Sequence, residues 1–156
     1  MRHLWESFAV LLVLSGANSN LQIPSAKDSE VLDQVREAAF RHYMPTGKNG
    51  YNQTVVCLQA DKELSDQFLK RLTLAKAKVV RVSDCDVDAS VGVHLKGQKE
   101  QGVLITIEGM KWLSGTEAEV KGSQYWDGLA ANFSTLRVVY RKGRWVVKSE
   151  KITAVS

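Results

Sequence analysis

The sequence predicts an α+β fold: an N-terminal helix packed on a curved antiparallel sheet that ends in a four-strand C-terminal meander. Three observations carry this expectation. Segments 103–108, 116–121, 135–140 and 144–148 are rich in β-branched and aromatic residues and are separated by turn formers. Within the second, Ala118 and Val120 alternate with Glu117, Glu119 and Lys121, the period of a strand with one wet face. Upstream, Val31, Val35, Ala38, Ala39 and Tyr43 recur at helical spacing.

The chain has 156 residues, of which 44% are hydrophobic and 24% charged, a balance that suits one globular domain. Residues 1–19 read as a secretory signal peptide. Met1-Arg2-His3 is a basic start, 8–14 an apolar run, and Ala17-Asn18-Ser19 a small-x-small cleavage site. The alternative is a short helix packed on the domain, which Glu6 favours. The apolar run is too short to span a bilayer, so no membrane span is expected in the mature chain. Ala17 stands where a lipidated cysteine would be needed. Polar residues 20–27, with Pro24, read as a flexible lead-in, and 28–156 as a single α+β domain.

Asp28 or Ser29 can cap the first helix, Glu30 suits its positive end, and Pro45 stops it near His42 or Tyr43. Phe40 and Tyr43 are expected to face the sheet, and His42 to sit in the last turn as a cap or in solvent. A loop at 46–50, a strand at 54–58, a short helix at 65–72 capped by Ser65, and a strand at 79–82 follow. Asp84, Asp86 and Asp88 begin like a calcium loop. Ala89 and Leu95 occupy the glycine and bidentate-glutamate positions, so an exposed acidic loop is the expectation. Residues 89–101, with His94, read as a loop or hairpin arm. Gly143 supplies the positive φ for a tight hairpin over 141–144, and 112–116 reads as an earlier reversal.

Cys57 and Cys85 are the only cysteines, and export favours their pairing; buried free thiols or a reactive role are the alternatives. No phosphate-binding glycine loop, nucleophile elbow, His-Glu-x-x-His or metal-spaced His/Cys set is present, so no catalytic residue, metal or cofactor is expected. Removing Arg2 and Glu6 with the leader leaves the net charge at +4. Arg137, Arg141, Lys142 and Arg144 cluster at one hairpin, which reads as a solvated tip; an exported chain has little access to nucleic acid. Trp112, Tyr125, Trp126, Phe133, Tyr140 and Trp145 read mainly as core. If a ligand site exists, Tyr125, Trp126, Asp127 and Arg137 are its candidate residues.

The order of helix, short mixed elements and long terminal meander resembles the cystatin-like and nuclear-transport-factor-2-like α+β folds. Cys57-Leu58, 65–69, Ser83-Asp84-Cys85, 112–120 and 143–148 are similar to a family of small uncharacterised exported bacterial proteins. The resemblance implies a curved sheet wrapped on a helix and bacterial export, periplasmic or extracellular, and it carries no activity to any residue. Enzymes on that general fold place an acid or base inside the cone, and no strand here supplies a histidine for it. The expected function is a non-catalytic exported domain binding an unknown small molecule or protein. The alternatives are a small hydrolase or isomerase using Asp127, Arg137 or His94, and an inhibitor or envelope-assembly subunit that adds a strand to its partner.

Overall fold

The computed structural model describes residues 28–44, 55–74, 77–127 and 130–156. The expected leader, lead-in and 46–50 loop lie outside the described residues.

Helix α1 (Ser29–Tyr43) starts where its cap allows: the Asp28 carboxylate accepts from the Glu30 amide at 3.1 Å. It stops at Met44, whose extended backbone (ψ 138°) is what a following proline demands. Val31, Val35, Ala39, Phe40 and Tyr43 are buried. Arg36 is buried with them. Its guanidinium meets Asp33 at 3.1 Å and Asp61 at 2.8 and 2.9 Å, tying the helix to the loop after the first strand.

Strand β1 (Val55–Gln59), helix α2 (Asp66–Arg71) and strand β2 (Lys78–Arg81) come next. Then β3 (Cys85–Asp88) and β4 (Gly92–Leu95) form a separate antiparallel hairpin, where the sequence suggested an acidic loop followed by a loop or hairpin arm. The long strands β5 (Gly102–Ser114), β6 (Glu117–Tyr125), β7 (Ala131–Arg141) and β8 (Arg144–Val155) complete the chain. The sheet order is β2-β1-β5-β6-β7-β8.

The sheet is mixed, which corrects the antiparallel expectation. β1 runs parallel to both β2 and β5, whereas β5–β6, β6–β7 and β7–β8 are antiparallel. The physical reason is connection length. Short turns force antiparallel pairing only at the C-terminal end, while the α2-bearing crossover from β1 to β2 is long enough to return the chain in the same direction. The expected reversal at 112–116 is also shorter than thought, because β5 runs on through Trp112 to Ser114. At the last hairpin Lys142 (φ 51°) and Gly143 (φ 80°) both take positive φ, as a two-residue primed turn requires.

Two clusters of buried residues lie on opposite sides of β1. Val56, Leu58, Ile105, Val120, Leu136, Val138 and Trp145 face α1 together with Phe68 and Leu72. Val55, Cys57, Val80, Cys85, Val93 and Leu95 fill the space between the sheet and the β3–β4 hairpin. A Cys57–Cys85 disulfide with Cα atoms 6.4 Å apart joins that hairpin to β1. No helix among the described residues is long and apolar enough to cross a membrane.

Candidate functional site

The four candidate ligand residues do not converge. Tyr125 pairs with Ala131 at one end of β6, whereas Arg137 lies opposite Glu119, six residues further along β7 and so about 20 Å away at roughly 3.3 Å per residue. Tyr125 packs on the Cys57 cluster, and its hydroxyl donates to the Asp88 carbonyl at 3.3 Å. Trp126 packs beside the α1 core and accepts from the Val93 amide at 3.2 Å. Asp127 is exposed and abuts β4: a Cβ on Gly92 would lie 2.9 Å from the Asp127 Cβ. Arg137 donates to Glu117 at 2.5 Å on the outer sheet face. That hydrogen bond holds Glu117 below and Arg137 above their ordinary pKa values. Arg137 is thus part of a charge-paired solvated face.

A different place gathers polar side chains. In the last turn of α1, Tyr43 meets the Ser134 hydroxyl at 2.5 Å, Ser134 meets Glu150 Oε1 at 2.7 Å, and His42 Nε2 meets Glu150 Oε2 at 2.9 Å. Because Ser134 donates its one proton to the carboxylate, the phenol must donate to Ser134. The Gln124 amide donates to the Tyr43 carbonyl at 2.6 Å, satisfying a helix-end acceptor. Burial, reinforced by the Glu150 charge and only partly offset by Ser134, pushes the Tyr43 phenol above its ordinary value. Burial works against ionised Glu150, but hydrogen bonds from His42 and Ser134 and the imidazole charge outweigh it and hold the carboxyl low.

This array is not ordered for nucleophilic catalysis. A triad places the imidazole between nucleophile and carboxylate, whereas here the carboxylate stands in the middle. Ser134 is also 4% exposed, so an incoming carbonyl could not reach it. The chain of contacts instead pins the end of α1 to β7 and β8.

Next to it lies an open cleft of about 560 Å³ between α1 and the start of β8. Gln34, Ala38 and Arg41, on one helical face, form one wall, and Arg144, Trp145 and Val147 the other. Trp145 is buried against Trp112 and Tyr140, with ring centroids 5.5 and 5.4 Å away. Arg41 donates through Nε and Nη2 to Glu37, at 3.0 and 2.8 Å, and through Nη2 to the Arg71 carbonyl. Arg71 holds the other Glu37 oxygen at 2.8 Å.

His94 donates from Nε2 to the Val91 carbonyl, 2.8 Å away in its own hairpin. Among the described residues, no group of three or more His, Cys, Asp or Glu could hold a metal ion. Sequence reasoning noted the basic residues near the last hairpin but not their division: Arg137 goes to the outer face, and Arg144 to the cleft. The helix spacing of Gln34, Ala38 and Arg41 was visible. Their apposition to β8 was not, because it depends on pairings over a hundred residues apart.

The fold and cleft define a small α+β domain with an open groove beside its helix, lined in part by Trp145. Comparison with protein-family models, curated proteins and solved structures finds no match to this chain.

Proposed function

We propose that the chain is an exported, non-catalytic binding or interaction domain whose ligand, a small molecule or a protein segment, occupies the cleft between α1 and β8. The observation that carries this reading is the cleft itself: about 560 Å³, within the range of ligand sites, with Trp145 beneath and arginines on both walls. Export is supported by the leader-like residues 1–19 and by the Cys57–Cys85 disulfide, which persists in oxidising compartments. The register shifts in β5–β6 and β7–β8 support a curved four-strand meander around α1, of the cystatin-like or nuclear-transport-factor-2-like kind, because bulges bend strands.

The hydrolase or isomerase reading has less support, since Asp127 and Arg137 stand apart and Ser134 bonds a carboxylate instead of an imidazole. The strand-adding reading rests on β8, a twelve-residue edge strand. Its two bulges, with Lys148 and Lys151 beside them, are devices that blunt edges.

Native mass spectrometry of the protein from its own host tests the proposal. The expected result is a chain starting at Asn20, two protons heavier after reduction, carrying a bound mass that an Ala38→Phe variant loses. A folded native protein with no bound mass in any preparation, or a mass indifferent to Ala38→Phe, would overturn it.

A further inference from the structure

The charges around the cleft point to the chemistry of its occupant. The Arg144 side chain forms no hydrogen bond or ion pair among the described residues, and the Nη1 of Arg41 is likewise unused, since that side chain bonds only through Nε and Nη2. A guanidinium presents five donors in a fixed fork matched to a planar two-oxygen acceptor. His42, also on the cleft wall, is already engaged by Glu150, and Glu37 by Arg41 and Arg71. The carboxylates near the cleft therefore have partners, while cationic donors remain unmatched.

The cleft lining also carries Gln34 and Glu37 beside an apolar strip of Ala38, Val147 and the exposed edge of Trp145. Glu37 and Glu150 close by would oppose a more highly charged group such as phosphate. We infer that the cleft binds a monoanionic carboxylate carried on an apolar or aromatic body, with Arg144 and Arg41 holding the carboxylate and the body lying against Trp145. This inference rests on the binding-domain proposal and narrows it. The same carboxylate can belong to a free small acid or to the C-terminus of a peptide.

The test uses the disulfide-bonded chain, ¹⁵N-labelled, with the Trp145 indole N–H resonance as reporter. Phenylacetate and phenylacetamide form one pair of probes, and N-acetyl-Ala-Phe as free acid and as amide the other; inorganic phosphate is the control. At least one acid is expected to shift the resonance saturably, about ten-fold more tightly than its amide, as loss of a charge-assisted hydrogen bond implies. Arg144→Gln, at the exposed first residue of β8, should abolish that preference without altering the rest of the spectrum. The tighter of the two acids identifies the source. Equal binding of acid and amide, tightest binding by phosphate, an Arg144→Gln variant that still prefers the acid, or no shift with any probe would overturn the inference. A native bound mass lost in Ala38→Phe would leave the binding-domain proposal standing even so.

Discussion

At the scale of single residues, the tightest of the described glycine positions is Gly122 on β6, which faces the Tyr43 ring. A Cβ at Gly122 would fall 2.7 Å from Tyr43 Cε2 and 3.0 Å from the Thr106 carbonyl, so both ring and backbone would have to move. Gly122→Ala is expected to cost about 1–3 kcal/mol, as overpacking does, read as a lower urea midpoint at unchanged m-value. Glu150 gives a second prediction, with a pH signature. Its carboxyl is held below the ordinary value of 4.5, so its contribution to stability is present above that value and fades as pH falls through the lowered native one. Denaturation midpoints of the native chain and Glu150→Gln should therefore differ near neutral pH and converge in acid. A constant difference across that range would show that the carboxylate's ionisation is not what stabilises. Neither Glu150 nor Ser134 was legible as an inward residue. By simple alternation, Trp145 and Val147 facing the helix would turn Glu150 outward, but the bulge at Lys148 shifts the parity and brings it under α1, opposite Leu136. The same kind of shift after Ile107 turns Met110 and Trp112 toward the core, which is why β5 outran its expected end.

At the scale of elements, the helix, its caps and the four C-terminal strands were legible because each depends on local signals: apolar period, capping side chains and a Lys-Gly turn. The parallel β1 was not, since a short apolar run such as Val55-Val56-Cys57-Leu58 reads alike for any strand buried on both faces. Its second face is covered by β3–β4, and the disulfide is the covalent part of that cover. The bridge spans 28 residues of sequence, which in the chain-entropy model stabilises by about 3–4 kcal/mol. Cys57→Ala/Cys85→Ala is expected to lose roughly that much, with amide exchange in β3 and β4 accelerating far more than in β6 and β7. Equal acceleration everywhere would mean that the hairpin is held by packing and not by the bond. The β8 edge makes a further prediction. Ser149 and Lys151 lie on its outer face, opposite Arg137 and Thr135. Replacing them by Val and Ile removes the Lys151 charge and makes that face of the edge apolar, and sedimentation should then detect self-association above that of the native chain.

At the scale of the whole molecule, both buried clusters are assembled from residues between 31 and 145, and α1 carries its own N-terminal cap at Asp28. Among the described residues, every apolar side chain named in those clusters has partners within 28–156. A chain of 28–156, refolded with its disulfide, is accordingly expected to unfold in one cooperative transition with a stability within about 1 kcal/mol of the chain 1–156. The comparison discriminates between the two sequence readings of residues 1–19. A leader that is cut away need contribute nothing to the folded domain. A helix packed on the domain would bury several of the apolar residues 8–14, each worth about 1.5–3 kcal/mol when removed from water. Its deletion could not be silent. Equilibrium urea unfolding of the two chains at one pH and redox state, with matched m-values, decides the matter. Agreement fits an exported domain beginning after its leader, while a loss beyond about 3 kcal/mol would make residues 1–19 part of the fold and withdraw the sequence argument for export.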